Sequence, residues 1–297
     1  MIAQRRLGGF ERALQALRVA VQPFRLRPEI GGELREMKYI SSAPQFREKL
    51  APVYLRRTRE DVLQELPELI EKEQWCELGP EERRMYLLAV SAENFMAMRQ
   101  VSWDVGDLKH SSKARRLFEL CQEAEEDGRK VIVFSYFRET IRAVCQLLGK
   151  RALEPITGTV SPQRRQQLVD AFTAAEAGKV LVCQVQAGGT GLNIQSASVI
   201  IFCEPQIKPS VEKQAISRAY RMGQLRSVLV YRLLCDNTVD ERILELLREK
   251  QELFDTFAAE STAGSEYMKA EQSMSAAIIQ MEKERLAAEL PPAEEKT

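Results

Sequence analysis

Short apolar runs separated by stretches of helix length constrain the fold of this chain more than any other feature. Runs rich in β-branched residues follow residue 110, at Val131–Phe134, Val180–Cys183, Val199–Phe202 and Val228–Leu234. Continuous apolar runs of this length are typical of strands that are buried on both faces of a parallel sheet. Helical patterns lie between them, so the sequence predicts an α/β fold with right-handed crossovers and helices on both faces of the sheet.

The same patterns place the remaining elements. Helices are predicted over 111–126, with Ser111 or Ser112 as the cap, and over 138–149, 161–176, 211–221 and from Val239 onward. A further strand is predicted near Glu154–Thr157. Residues 1–110 show only helical patterns broken at prolines, with one helix starting at Pro80, and no run suited to a sheet.

Composition indicates a soluble globular protein. The 297 residues are 44% hydrophobic and 29% charged, which is enough for one large or two smaller cores. No two of the six cysteines have metal-ligand spacing and His110 is the only histidine, so we expect no metal site and reduced thiols. No apolar span has membrane length, so we expect no membrane partner and a cytoplasmic protein.

The net charge of zero hides an asymmetry along the chain. Residues 1–60 carry 13 Lys and Arg against 6 acids, whereas residues 239–297 carry 7 against 14. The basic front could meet nucleic-acid phosphate or an acidic protein surface, or it could be a solvated linker. We predict three regions: a helical segment over 1–110, the α/β domain over 111–260, and an acidic tail over 261–297 that is either a loosely held helix or disordered.

Three motifs follow predicted strands at the edge where parallel α/β sheets bind ligands. They are Ser135-Tyr-Phe, Gly158-Thr-Val-Ser161 and Ala187-Gly-Gly-Thr-Gly191. Glycines let a ligand approach the backbone, and amides at a helix N-terminus favour anions. Together with the arginines on the helix after the fourth strand, these motifs predict a site for a nucleotide or a nucleic-acid backbone.

Two of those arginines share a predicted helix with a glutamine. In a continuous helix Gln214, Arg218 and Arg221 would lie on one face, at i, i+4 and i+7. Planar guanidinium groups placed in this way suit an arginine finger, which neutralises charge on a transferred phosphoryl group. The alternative is an ordinary surface helix with solvated arginines.

The sequence also lacks the elements that such arginines serve. It contains no G-x-x-x-x-G-K-[ST] loop and no acidic strand end of the Asp-Glu-x-His type. This chain therefore has no P-loop to hold the β,γ-phosphates, and no acidic pair for Mg²⁺.

Over roughly 41–257 the motifs together resemble the second RecA-like lobe of the Swi/Snf-type DNA-dependent ATPases, within the helicase superfamily. The motifs that carry this resemblance are Leu55-Arg-Arg-Thr-Arg-Glu-Asp-Val62 with Leu66-Pro67, His110-Ser-Ser-Lys113, Lys130-Val-Ile-Val-Phe-Ser135, the spaced Gly158, Arg165 and Phe172, Gly188-Gly-Thr-Gly-Leu-Asn193, Gln214 to Gln224, and Thr238-Val-Asp-Glu-Arg-Ile243. One departure from the family pattern is Tyr220, where family members often carry His.

The resemblance implies a RecA-like fold, a brace helix starting near Thr238, and a motor that hydrolyses ATP with Mg²⁺ while moving on duplex DNA. Arg218 and Arg221 would be the catalytic residues. The residues implied to lie near the nucleotide are Gly189, Gly191, Asn193, Gln214 and Gln224. Those implied to meet DNA phosphates are Ser135, Gly158, Arg165 and Thr190.

The first lobe, which in the family holds ATP and most of the Mg²⁺ site, is not found in this sequence. We therefore expect a fragment, a split-gene product, or the partner of a separately encoded first lobe. Two hypotheses follow: the C-terminal half of an ATP-driven DNA translocase, or a non-enzymatic module that binds DNA or a partner. RNA is the alternative substrate within the first hypothesis.

Overall fold

A computed structural model describes residues 67–187, 192–257 and 266–289. Its centre is a five-stranded sheet in which every pair of neighbours is parallel, in the order β1-β5-β4-β2-β3. The strands are β1 Leu69–Cys76, β2 Val131–Ser135, β3 Val180–Gln184, β4 Val199–Phe202 and β5 Val228–Cys235. The predicted α/β class and the four predicted apolar strands are confirmed.

Helices connect and cover the strands. They are α1 Pro80–Ser91, α2 Phe95–Met98, α3 Ser112–Glu126, α4 Arg138–Leu148, α5 Pro162–Ala174, α6 Pro209–Ala219, α7 Val239–Phe257 and α8 Glu266–Glu289. Ser111 caps α3 as predicted, because its hydroxyl group accepts a hydrogen bond from the amide of Ala114 at 2.9 Å.

Alternate residues of the strands lie on opposite faces of the sheet and pack into two separate hydrophobic cores. Ile132 and Phe134 of β2 pack with α5 and α6 on one face, where Phe172 is fully buried. Val131 and Val133 pack with α3 and α4 on the other face. Helices therefore cover both faces, which explains why Val131–Phe134 and Val199–Phe202 are apolar at every position.

Strand β1 was not predicted, and the expectation that residues 1–110 contain no strand is wrong. All eight residues from Leu69 to Cys76 pair in register with β5. Among the described residues β1 has a neighbour on one side only, so charged side chains are tolerated along it. Two of them form ion pairs, Glu71 with Arg232 and Glu73 with Arg248.

The strand predicted near Glu154–Thr157 is also not formed as a regular element. Only isolated bridges connect this segment to β3, from Ala152 to Val180 and from Ile156 to Cys183. Pro155 has no amide hydrogen to donate, so the ladder is interrupted between the two bridges. The segment still runs alongside β3 and brings Gly158 to the carboxyl end of the sheet.

A third core joins α1, α7 and α8. Met274 and Ile278 of α8 are buried, so of the two alternatives for the C-terminal region the structure contains a helix, and that helix is packed. Glu282 of α8 is fully buried and accepts a hydrogen bond from the hydroxyl group of Tyr86 at 2.8 Å. That hydroxyl group accepts one from the amide of Val239 at 2.7 Å, which ties α8 to the first turn of α7.

A buried ion pair links the first turns of α3 and α7. Lys113 Nζ lies 2.5 Å from Asp240 Oδ2, and neither side chain is exposed to solvent. The same oxygen accepts a hydrogen bond from the amide of Cys235 at 3.0 Å. Burial alone would lower the pKa of Lys113, but Asp240 outweighs this effect, so the pKa is raised and the amine stays charged.

Several predictions fall on residues outside the described ranges. They are the helical patterns before residue 67, the basic front end, and Gly188, Gly189, Thr190 and Gly191. Among the described helices none is both long and apolar enough to cross a membrane.

We expect Lys113→Met to lower the free energy of unfolding by about 3–5 kcal/mol, because it leaves the carboxylate of Asp240 buried without its partner. Urea unfolding followed by circular dichroism measures this. The double variant Lys113→Met/Asp240→Asn should recover part of the loss, since it removes the unpaired charge. Arg142→Met, which breaks an exposed ion pair with Glu139, is the control and should cost less than about 0.5 kcal/mol. Equal losses for Lys113→Met and Arg142→Met would contradict this account.

Candidate functional site

The carboxyl ends of the parallel strands bring the predicted loops to one edge of the sheet. The loop after β2, the Gly158 loop and the end of β3 are joined there by side-chain hydrogen bonds. Gln184 is the central residue: its Nε2 donates to the carbonyl of Tyr136 at 3.3 Å, and its Oε1 accepts from the amide of Gly158 at 3.0 Å. The sequence therefore placed these loops correctly, but it did not reveal what connects them.

Ser135 does not offer its hydroxyl group to a ligand. The residue is fully buried, and Oγ donates to Glu204 Oε2 at 3.0 Å. The other carboxylate oxygen of Glu204 accepts from the amide of Tyr136 at 2.6 Å. Glu204 is 1% exposed, and burial raises its pKa although these hydrogen bonds oppose the shift. The side chain of Ser135 thus supports the loop, and its predicted contact with DNA stays a prediction.

Gly158 lies exposed at the tip of its loop, as a ligand contact requires. Its amide is already bonded to Gln184, so the backbone N–H is not free to bind an anion. A Cβ atom at this position would lie 3.5 Å from Gln184 Oε1, an ordinary contact, so internal packing does not demand glycine here. The adjacent hydroxyl groups of Thr157 and Thr159 are 2.9 Å apart, so one of them donates to the other, and the hydrogen of the second remains available as a donor at the loop surface.

Arg165 of α5 holds two loops together. Its guanidinium donates to the carbonyl of Ala187 at 2.7 Å and to the carbonyl of Gly158 at 3.1 Å. Both terminal nitrogens thus make a hydrogen bond to a carbonyl group, which fixes the loop that leads into residues 188–191. The predicted contact of Arg165 with DNA phosphate stays a prediction.

The residues on either side of that gap differ in exposure, and of the two only Asn193 was predicted to lie near the nucleotide. Ala187 is buried and held by Arg165, while Asn193 is exposed and donates to Gln195 Oε1 at 3.2 Å. Gly189, Gly191 and Thr190 lie outside the described residues, so their predicted roles remain predictions.

Gln214, Arg218 and Arg221 do not form one helical face. Helix α6 ends at Ala219, Tyr220 is its C-cap, and Arg221 follows in a turn. Gln214 and Arg221 are exposed, whereas Arg218 is 6% exposed. Arg221 thus lies two residues beyond the last helical residue, in a turn that also contains Gly223 in a left-handed conformation at φ +95°.

Gln224 stabilises that turn from the inside. It is 7% exposed, and its Nε2 lies within hydrogen-bonding distance of the carbonyl groups of Gln195, Ala197 and Ala219, at 3.1, 2.9 and 3.2 Å. Its Oε1 accepts from the amide of Arg226 at 3.2 Å. The side chain thus holds the turn together, and the predicted nucleotide contact at Gln224 stays a prediction. These partners precede β4 and β5, so the turn lies toward the amino ends of the strands, away from the loop edge.

Arg218 carries a buried positive charge that has no described counter-ion. Within the part of the chain that the structure describes, its guanidinium makes neither a hydrogen bond nor an ion pair. Burial lowers its pKa; the nearby Cys183 opposes this shift and the positive charge of Arg165 adds to it. A buried cation with no compensating carboxylate is costly unless an anion binds it. Arg218 is thus the described residue most suited to receive a phosphate group.

Three residues that organise the site were missed from the sequence. They are Gln184, Glu204 and Gln195, whose side chain bonds to the carbonyl of Met222. Each directly follows or ends an apolar strand or segment, and a polar residue at such a position is the only signal that could have drawn attention to them. The described residues contain no group of three or more His, Cys, Asp or Glu side chains that could hold a metal ion.

Comparisons with known proteins identify a helicase domain, in agreement with the parallel α/β fold. The family model for the helicase conserved C-terminal domain matches residues 112–223. A Mycoplasma genitalium protein named as an ATP-dependent helicase is 29% identical over 251 residues, which cover 76% of this chain and 24% of that protein. The mouse SWI/SNF-related matrix-associated actin-dependent regulator of chromatin subfamily A member 1 is 34% identical over 139 residues, or 46% of this chain and 13% of its own length. The chain thus spans about a quarter or less of these curated relatives.

A solved structure shows the same fold. The SWI2/SNF2 ATPase core of Sulfolobus solfataricus in complex with double-stranded DNA superposes with a TM-score of 0.54 at 24% identity, covering 72% of this chain and 52% of that one. The parallel sheet, the order of the motifs and the related sequences all lead to one assignment. The α/β unit of this chain is a helicase C-terminal lobe of the Swi/Snf type, with a RecA-like fold.

Proposed function

We propose that this lobe supplies phosphate-binding arginines and DNA-backbone contacts to an ATP-driven translocase on duplex DNA. It acts together with an ATP-binding lobe, located in the same polypeptide or in a separate one. The observation that carries this proposal is Arg218, a buried guanidinium without a described partner.

Arg218 suits the transition state of phosphoryl transfer. A planar guanidinium presents paired donors that match phosphate oxygens, and low polarity around it strengthens the attraction. Arg165 and Cys183 are its nearest described electrostatic neighbours, and neither is an anion that would neutralise it. An incoming phosphate group would complete this environment, which is the task of an arginine finger.

Arg221 is the second candidate for contact with the phosphate groups. It is exposed in a turn that Gln224 and Gln195 hold in place. In this arrangement the two arginines approach a ligand from a helix and from the turn that follows it, instead of from one helical face. ATP and Mg²⁺ would be held mainly by the other lobe, because this sequence has no P-loop.

The loop edge is the proposed DNA surface. The Gly158 loop presents Thr157 and Thr159, and it leads into the first turn of α5, whose Ser161 cap accepts from the amide of Arg164 at 3.3 Å. Hydroxyl groups and a helix N-terminus bind phosphates without regard to base sequence. Thr190 remains a proposed contact, while Ser135 and Arg165 become supports of the surface. The DNA complex of the Sulfolobus ATPase core supports duplex DNA as the ligand.

A second candidate is a non-enzymatic module that binds DNA or a protein. The absence of a P-loop from this sequence favours it for the chain in isolation. The two candidates differ in one respect: only the motor gives Arg218 a chemical task.

We expect Arg218→Met to raise the free energy of unfolding of the ligand-free chain by about 1 kcal/mol, because it removes a buried charge that has no described partner. Arg232→Met is the matched control. Arg232 contacts Glu71, and its Nε lies 2.5 Å from Glu212, so its loss should destabilise the chain by about 3 kcal/mol. Urea titrations of both variants without nucleotide provide the comparison. If Arg218→Met loses as much stability as Arg232→Met, Arg218 is a structural residue.

Binding of the chain to duplex DNA should be weak, independent of base sequence and strongly salt-dependent. Each neutralised phosphate should contribute about −0.9 to the slope of log K against log salt. Fluorescence anisotropy with two duplexes of equal length and different sequence, over a series of salt concentrations, measures both properties. Tight binding that is insensitive to salt, or a marked preference for one duplex, would argue against backbone recognition.

The arginines should act on turnover and not on nucleotide affinity. The chain alone should hydrolyse no ATP. In a motor that contains the ATP-binding lobe, Arg218→Ala or Arg221→Ala should lower kcat by about 10³-fold with little change in KM, because a finger stabilises charge in the transition state. Arg221→Lys should rescue poorly, since an ammonium group lacks the planar fork. Near-normal turnover of both alanine variants, with the DNA-binding result unchanged, would favour the non-enzymatic module.

A further inference from the structure

A continuous series of hydrogen bonds crosses the loop edge. It begins at the buried carboxylate of Glu204 and ends at the residue before the gap at 188–191. The members, in order, are Glu204, Tyr136, Gln184, Gly158, Arg165 and Ala187. Each link joins two different loops or elements, so the positions of the loop tips depend on one another.

Gln184 is the link on which this series depends. It is the last residue of β3 and is half-buried. One end of its amide group donates to the carbonyl of Tyr136, and the other accepts from the amide of Gly158. The carbonyl can only accept and the backbone amide can only donate, so the orientation of the side chain is fixed by its partners. A carboxylate or an aliphatic residue could not make both bonds.

The two partners of Gln184 are themselves anchored. The amide of Tyr136 is held by Glu204 at 2.6 Å, and the carbonyl of Gly158 is held by Arg165 at 3.1 Å. The length of the Gln184 side chain therefore sets the separation between the loop after β2 and the Gly158 loop. The latter carries the hydroxyl groups of Thr157 and Thr159.

We propose that Gln184 is a positioning residue for nucleic-acid binding: it sets the place of the Gly158 loop so that its hydroxyl groups and the first turn of α5 meet backbone phosphates. The proposal rests on the DNA-binding role proposed above for this edge. It assigns Gln184 no contact with DNA, and it also explains why the exposed Gly158 uses its own amide inside the protein.

The test compares two variants of the full 297-residue chain. Gln184→Met keeps the length of the side chain but removes both hydrogen bonds. Gln122→Met is the control, because Gln122 is an exposed residue of α3, on the opposite face of the sheet from α5. Three quantities are measured for each variant: the Kd for a short duplex at fixed salt, the hydrogen exchange of the Gly158 amide, and the Tm.

We expect Gln184→Met to raise the Kd for the duplex by about fivefold, a change comparable to the net contribution of one hydrogen bond. The Gly158 amide should exchange faster, while amides in α3 and β4 keep their protection. Gln122→Met should match the wild type in all three measurements. A purely structural role for Gln184 would lower the Tm and protection throughout the sheet and leave the Kd of the folded protein unchanged, and that result would overturn the proposal.

The remaining outcomes separate this proposal from the function on which it rests. If the wild type binds the duplex and Gln184→Met binds equally well, the positioning role is wrong and the DNA-binding role stands. If the wild type does not bind the duplex, the DNA-binding role itself is wrong.

A second variant keeps the test decisive if Gln184→Met fails to fold. Gln184→Glu retains an oxygen that accepts from the amide of Gly158 but loses the donor to Tyr136. Because the added carboxylate by itself repels phosphate, the Kd is compared with that of the wild type at high salt, where this repulsion is screened. A Kd that stays raised there would support the proposal. Fast exchange at Gly158 with an unchanged Kd would refute it.

Discussion

The parallel pairing of all five strands is the constraint on which the rest of this structure depends. Parallel neighbours cannot be joined by tight turns, so the chain must return across a face of the sheet after each strand. Both faces become covered, and the loops that follow the strands gather at a single edge. Residues that are far apart in the sequence, such as Tyr136, Gly158 and Gln184, become neighbours only for this reason.

The sequence predicted the architecture well, because apolar runs and caps report directly on burial and local geometry. It failed at β1, where an edge strand carries charged residues that are satisfied by arginines elsewhere in the chain. It also failed at Arg221, because the helical periodicity of the sequence continues past Ala219, where the helix ends. The partners of Ser135, Arg165 and Gln224 could not be predicted, since they are contacts between distant segments. Motif matching identified residues that matter without distinguishing those that form the surface from those that support it.

Two arginines of the lobe differ in whether the fold neutralises their positive charge. Arg232 is flanked by Glu71 and Glu212, so its charge is balanced within the fold. Arg218 is more deeply buried than Arg232, yet it lies near another cation and a thiol. A protein selected for stability alone would have neutralised Arg218 or replaced it with an apolar residue. An uncompensated charge of this kind is what the phosphate-binding role proposed for Arg218 requires.

The buried carboxylate of Glu282 has a consequence for the limits of the folded unit. Helix α8 lies far along the chain from the sheet, yet Glu282 supplies the acceptor for Tyr86, which in turn receives the first amide of α7. Met274 and Ile278 cover the same apolar surface. Proteolytic removal of residues 266–289 would therefore not trim a tail from an intact lobe. It would remove the helix that covers one side of the third core and leave α1 and α7 with exposed apolar side chains, so the shortened product should aggregate.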